Sequence, residues 1–173
     1  MIYSKAKQIA DSILQELKPH CVRIEIAGSI RRKKTNPNDI EIVAIPKKIE
    51  IADGMFDTKK IVHPSFIAIV ESWEKVKGEP TGKYTQRILP EGIKLDLFFA
   101  TVNNWGNIFL IRTGDWEFSK KFMGILLPRK GYKQVGGVLK LNDKVIDCRE
   151  EIDLFNLAGI KYIEPQKRNG NAI

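Results

Sequence analysis

The chain has 173 residues, of which 43% are hydrophobic and 29% charged, and its formal net charge is +8. This length can bury a sizeable core, as one domain or two small lobes. The absence of an 18-residue apolar run and of a secretory signal, together with only two cysteines, predicts a cytoplasmic protein without a membrane span, a disulfide framework or a zinc site. The basic charge balance favours a polyanionic partner, nucleic acid first.

The first part of the chain carries a helix pattern followed by two strand patterns. Apolar residues at helical spacing predict an amphipathic helix over residues 4–17, which Pro19 helps to end. Alternating apolar and polar residues then predict strands over residues 22–27 and 39–45. The basic segment 33–38 between them contains turn residues. We therefore expect a helix next to the start of a β-sheet.

The middle of the chain returns from loop to helix and then to strands. Residues 46–62 lack clear periodicity, so they predict an irregular loop. Residues 64–77 predict a helix, with a proline at its start and a glycine after its end. Residues 83–89 and 93–100 predict a β-hairpin. Helices alternating with strands on a mixed sheet predict an α/β unit over residues 1–100.

The last third of the chain predicts a second, smaller unit. Residues 104–127 have helical character, with a break near Thr113-Gly114. A hairpin is predicted about Gly136-Gly137, with the apolar segment 138–141 as its second strand. We therefore expect a small α+β subdomain over residues 101–173.

Two further predictions concern the end of this subdomain. Asp147, followed three residues later by Glu150, resembles a capping box for a helix over residues 149–158. The basic tail after Pro165 has no apolar periodicity. We expect this tail to be frayed.

Three acidic residues stand out because of where they lie in the predicted strands. Side chains alternate between the two faces of a strand, so Asp39 and Glu41 project together, with Cα atoms roughly 6.5–7 Å apart. Asp96 lies in an apolar strand, where a carboxylate is costly unless it is paired, metal-bound or solvated. Three acids on neighbouring strands can hold hard cations such as Mg²⁺, and a pair of ions about 3.5–4 Å apart can catalyse phosphoryl transfer. The alternative interpretation of Asp-x-Glu is an edge strand with one solvent-exposed face.

The turn before these acids suits a phosphate. Gly28 ends a predicted strand and lets backbone N–H groups approach a ligand closely. Ser29 adds a hydroxyl donor, and the guanidinium groups of Arg31 and Arg32 match phosphate oxygens. We predict that a triphosphate bridges the cations and this turn; the alternative is a strand-ending turn with solvated arginines.

These residues, in this order and spacing, resemble the DNA polymerase X family, whose best-known member is DNA polymerase beta. Gly28-Ser29-x-Arg31-Arg32, followed after six residues by Asp39-x-Glu41, resembles the phosphate loop and the first two metal ligands of that family. Asp96 resembles the third ligand. The segments that resemble the family's nucleotide turn and C-terminal subdomain are Arg112-Thr113-Gly114, Phe118, Gly131-Tyr132 and residues 163–168.

The resemblance implies specific roles by position. The catalytic acids and metal ligands it implies are Asp39, Glu41 and Asp96, holding two Mg²⁺ ions, with Mn²⁺ as an alternative. The nucleotide-binding residues it implies are Gly28, Ser29, Arg31, Arg32, Arg112, Thr113 and Gly114. The DNA-binding residues it implies are Lys120, Lys121, Arg129 and Lys130.

The resemblance also implies a fold and an activity. The fold would be α/β (α+β): a nucleotidyltransferase palm with a mixed β-sheet and a small C-terminal subdomain, the minimal form that resembles small viral members and lacks the lyase and helix-hairpin-helix domains. The activity would be that of a monomeric, template-directed DNA polymerase, which adds deoxynucleotides from their triphosphates to primer-template or gapped DNA in gap filling or repair and releases pyrophosphate. Glu41 stands where aspartate is more usual, and Arg112 where an aromatic residue is usual.

Two other hypotheses stay open at this point. One keeps the chemistry but changes the acceptor, as in a template-independent terminal transferase or another minimal nucleotidyltransferase. The other is a catalytically inactive module that binds nucleic acid. A primer-extension assay with Mg²⁺ and Mn²⁺ separates them.

Overall fold

Helices and strands alternate along the chain, of which the computed structural model describes residues 1–54 and 56–173. The helices are α1 (Tyr3–Leu17), α2 (Gly28–Arg31), α3 (Pro64–Glu71), α4 (Trp105–Thr113), α5 (Trp116–Lys121) and α6 (Glu151–Ala158). The strands are β1 (Cys21–Ile26), β2 (Asp39–Pro46), β3 (Lys48–Ala52), β4 (Thr58–Val62), β5 (Glu74–Gly78), β6 (Tyr84–Ile88), β7 (Lys94–Phe99), β8 (Tyr132–Val135), β9 (Val138–Leu141) and β10 (Lys144–Ile146). Within these ranges, no helix combines the length and the apolar character needed to cross a membrane.

The central element is a five-stranded mixed sheet with the order β1-β2-β7-β6-β5. The β2–β7 pair is parallel, and the other neighbouring pairs in this sheet are antiparallel. A three-stranded antiparallel sheet, β10-β9-β8, follows in the last third of the chain, and β3 and β4 form a separate ribbon. The predicted fold class, a mixed sheet with helices, is confirmed.

Helices α1 and α3 cover one face of the five-stranded sheet. Ile40 and Ile42 of β2 and Leu95 and Leu97 of β7 are fully buried in the core on this side. Because side chains alternate between faces, the residues between them point the other way. The opposite face of the sheet therefore carries the acidic residues of β2 and β7.

Helix α4 packs on that opposite face, against the second halves of β2 and β7. Trp105 and Phe109 of α4 form a buried cluster with Val43 of β2 and Phe98 of β7. A second core lies among helix α5, helix α6 and the three-stranded sheet. It consists of apolar residues of the last third of the chain, among them Phe118. The position of α4 leaves the start of β2 and β7 open beside the acids.

A buried ionic network joins the first part of the chain to α6. The Arg31 guanidinium donates to both carboxylate oxygens of Glu151, at 2.7 Å each, and lies 3.8 Å from the centroid of the Phe109 ring. Arg168, which is fully buried, pairs with the same carboxylate. Burial alone would raise the pKa of Glu151, but hydrogen bonds from Arg31 and Arg168 hold that pKa below its ordinary value. The tail after Pro165 is therefore not frayed as expected. Its Arg168 is buried, and a buried arginine needs a partner charge, which Glu151 provides.

Most predicted elements before α4 are confirmed, namely the helix over residues 4–17, the strands over 22–27 and 39–45 and the hairpin over 83–100. The expected irregular loop over residues 46–62 is wrong, since β3 and β4 pair antiparallel there. Both faces of this ribbon are largely exposed, so its short apolar alternation gives a weak signal. The cross-strand pair of Glu50 and Lys60, 3.4 Å apart, lies in its register.

The helix predicted over residues 64–77 is wrong in its second half. Helix α3 ends at Glu71, and residues 74–78 instead form β5, the edge strand that pairs with β6. The side chains of β5 are exposed, so hydrophobic periodicity carries no information about it. Pairing with the sheet, a tertiary interaction, overrides the local helix pattern.

The predicted elements of the last third of the chain are present, but some of their bounds differ from the prediction. The helix over residues 104–127 is broken at Gly114 into α4 and α5, as expected, and a hairpin turns at Gly136-Gly137. The cap of α6 lies one turn later than predicted, because the Glu150 N–H donates to Asp153 Oδ2 at 2.8 Å. The predicted division into residues 1–100 and 101–173 stays a prediction.

We predict that Glu151→Ala lowers the free energy of unfolding by about 3–5 kcal/mol, because two arginines then lose their partner and Arg168 stays buried without one. The measurement is urea denaturation followed by circular dichroism at pH 7. Glu50→Ala is the matched control, since Glu50 is an exposed residue of β3 that pairs with Lys60 at 3.4 Å. An exposed pair contributes at most about 1 kcal/mol.

Acidification gives the same experiment a second readout. The Glu151 pKa is lowered in the folded state, so its stabilisation is complete above the ordinary value of 4.5 and is lost as the pH falls through the folded-state pKa. The gap between wild type and Glu151→Ala should therefore shrink in acid. Equal losses for Glu151→Ala and Glu50→Ala at pH 7 would contradict the proposed importance of the network.

Candidate active site

The three predicted acids come together through the pairing of β2 with β7. In this parallel register Glu41 lies opposite Asp96, and Asp39 lies opposite Lys94. Asp39, Glu41 and Asp96 all project from the face that α1 and α3 do not cover. The structure therefore places the acids of two separate sequence segments on one surface.

Asp96 is held in place by the neighbouring strand β6. Gln86 lies opposite Asp96 in the antiparallel register, and its Nε2 donates to Asp96 Oδ1 at 2.8 Å. The Tyr84 hydroxyl donates to the same oxygen. Burial, followed by this hydrogen bond, raises the pKa of Tyr84 above its ordinary value, so the hydroxyl keeps its proton. Both bonds fall on Oδ1, and Oδ2 takes part in neither.

The acids repel one another in the absence of a cation. Burial, with added repulsion from Asp39 and Asp96, raises the pKa of Glu41 from 4.5 to about 7. Burial and the negative charge of Asp96 likewise raise the pKa of Asp39. The guanidinium groups of Arg112 and Arg32 offset only part of this repulsion. A positive ligand would relieve it.

The donor set fits a hard divalent cation in its chemistry, because carboxylate oxygens on neighbouring strands are the ligands that Mg²⁺ prefers. In residues 1–54 and 56–173, however, no three Asp, Glu, His or Cys side chains are already arranged around a common metal position. The carboxylates would thus have to turn towards one point on binding. The register that brings Glu41 beside Asp96 favours such binding, and the raised pKa values of Asp39 and Glu41 agree with it.

The glycine turn predicted to bind phosphate packs directly on Glu41. Gly28 has a φ of +60°, and a Cβ atom there would lie only 1.9 Å from Glu41 Oε2, so only glycine fits without displacing the acid. The Ser29 Oγ next to it is buried and has no hydrogen-bond partner in the part of the chain that the structure describes. Buried hydroxyl groups normally have a hydrogen-bond partner, and a bound ligand would supply one here.

The two adjacent arginines face different parts of the molecule. Arg32 lies beside the acids, and its Nη1 donates to the Thr113 carbonyl oxygen at 2.6 Å. Arg31 instead donates to Glu151 and, at 2.6 Å, to Thr113 Oγ1. Both terminal nitrogens of Arg31 thus bond to protein groups, and a nucleotide contact of this residue stays a prediction. Thr113, which is fully buried, holds the two arginines from the other side.

Arg112 lies between the acids and an aromatic ring. Its guanidinium carbon is 3.9 Å from the centroid of the Phe98 ring, and burial lowers its pKa despite the nearby charges of Glu41 and Asp96. The position is that of a counter-charge for the acids. Gly114, two residues later, packs so closely that an added Cβ would lie 2.5 Å from the Phe118 ring.

An open cavity of about 540 Å³ lies against this cluster. Its lining residues are Arg32, Lys34, Glu41, Ile111, Arg112, Gly114, Asp115, Trp116, Glu117 and Ser119. A smaller cavity of about 390 Å³, at the start of β2 and β7, includes Asp39. Of the three acids only Glu41 lines the larger cavity, which has α5 on its other side.

Several residues of this site were missed by the sequence predictions. Lys34 lies in the basic turn, where nothing distinguishes it from Lys33. Trp116 follows the Thr-Gly turn, and its aromatic character was the available signal. Tyr84 and Gln86 could have been found only from the hairpin register that places them near Asp96.

The four residues implied to bind DNA have different environments. Lys120 Nζ lies 4.6 Å from the centroid of the Trp116 ring. Lys121 Nζ donates to the carbonyl oxygens of Gly170 and Ile173 and anchors the C-terminal segment. Arg129 and Lys130 are exposed on a 3₁₀ turn that follows α5. A DNA contact by Lys120, Lys121, Arg129 and Lys130 stays a prediction.

Comparison with known proteins supports the fold. No family model and no curated protein sequence matches the chain. Its structure is similar to the crystal structure of Leishmania infantum polymerase beta in a ternary P/T complex, with a TM-score of 0.71 over 97% of this chain and 76% of that chain. The sequences are 16% identical over this match. The chain therefore has a polymerase-beta-like fold.

We predict that Glu41→Gln raises the free energy of unfolding by about 1–3 kcal/mol at pH 8 in EDTA. The Glu41 pKa is 4.5 when unfolded and about 7 when folded, so at pH 8 its ionised form is penalised only in the folded protein. Chemical denaturation across pH 4–8 measures the effect. The gain should develop between pH 4.5 and 7 and be absent below that range.

Glu25→Gln on the adjacent strand β1 is the control, because Glu25 is exposed and lies outside the acid cluster. Its effect should stay within a few tenths of a kcal/mol, as is usual for surface substitutions. A loss of stability in Glu41→Gln at pH 8 would show that the carboxylate is favourably paired rather than repelled.

Proposed function

We propose that this chain is a metal-dependent nucleotidyltransferase that adds deoxynucleotides to a DNA 3′ end under the direction of a template. The observation that carries the proposal is the register of β2 and β7, which places Glu41 beside Asp96 next to a cavity that Arg32 also lines. The polymerase-beta-like fold supports it. A role in gap filling or repair belongs to the same proposal.

In this proposal Asp39, Glu41 and Asp96 hold two Mg²⁺ ions, or Mn²⁺ in their place. When bound, such ions activate a hydroxyl nucleophile and stabilise the charge on the leaving oxygen. Tyr84 and Gln86 contribute by fixing Asp96 Oδ1, so that the orientation of this carboxylate is set before any ligand arrives.

The remaining residues bind and orient the nucleotide. Arg32 and the unpartnered Ser29 hydroxyl are placed to take the β- and γ-phosphates, with Lys34 as a further positive charge in the same cavity. The 3′-hydroxyl oxygen attacks the α-phosphorus, its proton is released to solvent, and the bond to the β-phosphate oxygen breaks, giving pyrophosphate. The protein thus contributes position and charge stabilisation rather than a covalent intermediate.

Two features support DNA as the substrate. The chain carries a net charge of +8, and this value already counts the negative charges of the three acids that are assigned to cations. A strongly basic protein is attracted to polyanions. The structural neighbour was crystallised as a ternary P/T complex.

We predict that Asp39→Asn and Asp96→Asn each reduce single-turnover primer extension on the order of 10²–10³-fold or more, since each removes a charge from the proposed metal ligands. Circular dichroism should show an intact fold. Asp143→Asn, in the turn between β9 and β10, is the control and should keep the wild-type rate.

The substrates of this assay decide between the hypotheses. Extension of gapped or primed DNA, but not of single strands, supports the template-directed polymerase. Equal extension of single strands supports a terminal transferase. The proposal is contradicted if the folded protein extends no DNA substrate with either Mg²⁺ or Mn²⁺. It is also contradicted if Asp39→Asn or Asp96→Asn extends primers at the wild-type rate.

We predict that the double variant Arg129→Gln, Lys130→Gln reduces the salt dependence of duplex DNA binding. Each lost phosphate contact lowers the slope of log K against log salt by about 0.9. Fluorescence anisotropy over a range of salt concentrations measures this slope. The control is Lys59→Gln, Lys60→Gln on the exposed β4 strand, which removes the same charge elsewhere. Equal slopes for the two double variants would place the DNA contact outside the 3₁₀ turn.

A further inference from the structure

One large aromatic side chain is exposed beside the candidate site. Of the three tryptophans in the sequence, Trp73 and Trp105 are buried, whereas Trp116 is 72% exposed. Trp116 also lines the 540 Å³ cavity together with Arg32 and Glu41. An exposed indole leaves much apolar surface in water, and burying it against a flat ligand is favourable.

The backbone around Trp116 is held rigidly. Asp115 caps α5, its Oδ1 accepting from the Phe118 N–H at 2.8 Å, and the Phe118 ring is fully buried. Ser119 Oγ donates to the Ile111 carbonyl oxygen at 2.9 Å, which ties α5 back to α4. The start of α5 therefore presents the indole at a fixed place on the cavity wall.

A lysine one turn later is placed against the same ring. Lys120 Nζ lies 4.6 Å from the centroid of the Trp116 ring, a cation–π contact between residues four apart on a helix. The contact restricts the indole but leaves most of its surface exposed. The cavity thus combines an oriented aromatic surface with charges suited to phosphates and cations.

We propose that Trp116 is the platform on which the base of a nucleoside triphosphate stacks, and that purine nucleotides bind there more tightly than pyrimidine nucleotides. This inference rests on the proposed function and assigns it a base subsite. A base is the flat ligand that fits, because the same cavity includes Arg32 and Lys34 for phosphates and Glu41 for a cation.

Stacking needs no complementary base, since every base has an aromatic face, and it is worth more for the larger purine ring system. The platform should therefore bind a nucleotide in the absence of DNA. An inorganic triphosphate has no base, so its affinity should not depend on Trp116. These two properties separate stacking from phosphate binding.

The test uses the full chain without DNA, in Mg²⁺, with dATP, dCTP and inorganic triphosphate as ligands. Equilibrium dialysis gives Kd for wild type, Trp116→Ala and Trp116→Phe. Phe56→Ala is the control, because Phe56 is an exposed aromatic residue between β3 and β4, and it does not line the cavity. Quenching of tryptophan fluorescence by dATP that is lost in Trp116→Ala reports on this indole rather than on Trp73 or Trp105.

Wild type should bind dATP more tightly than dCTP, with quenching of its fluorescence. Trp116→Ala should weaken dATP binding about 5- to 150-fold, the equivalent of about 1–3 kcal/mol for one stacked base, and should abolish the purine preference. Trp116→Phe should keep part of the affinity. Inorganic triphosphate should bind all four proteins equally.

The proposal is overturned if wild type binds no dATP without DNA, if dATP and dCTP bind equally, or if Trp116→Ala weakens dATP and inorganic triphosphate to the same extent. In each of these cases, template-directed primer extension by the same protein would leave the proposed function standing. Absence of primer extension in folded wild type would instead remove the proposed function.

Discussion

The parallel pairing of β2 with β7 is the constraint on which the rest of this molecule depends. Its register buries Ile40 and Ile42 in the core and, by alternation, sends Asp39 and Glu41 to the opposite face, where Glu41 meets Asp96. A slip of one residue would put the acids into the core and the isoleucines into water. The free energy of core packing therefore also fixes the geometry of the site, and neither can change without the other.

The Arg31-Arg32 pair connects this sheet to the last third of the chain. Arg31 pairs with the buried Glu151 carboxylate, and Arg32 reaches the Thr113 carbonyl oxygen while lining the cavity. Of these two neighbouring residues, one thus pairs with a buried acid and the other lines the cavity. Because both bonds cross from the turn to α4 or α6, the cavity wall formed by α4 and α5 is held at a defined distance from the acids.

The candidate site is built from groups that would be unfavourable in an inert protein. Glu41 has a pKa of about 7 because it is buried near two other carboxylates, the Ser29 hydroxyl is buried without a partner among the described residues, and Trp116 is largely exposed. Each group is unsatisfied in a different way, and each lacks what a nucleotide with its cations would supply. Functional sites commonly carry such locally unfavourable features, which the rest of the fold must offset.

The sequence by itself determined the long amphipathic helix, the strands that carry the acids, and Asp39, Glu41, Asp96 and the glycine turn as candidates, because these depend on local alternation, spacing and turn chemistry. It missed β3 and β4, whose short apolar alternation is a weak signal, and β5, whose side chains are all exposed, and it treated the tail after Pro165 as frayed. Only the tertiary structure decided that Arg168 is buried against Glu151, that Arg31 faces away from the cavity and that Trp116 lines it. Those outcomes depend on which distant segments meet, and sequence periodicity describes a segment's own faces but not the partner that covers them.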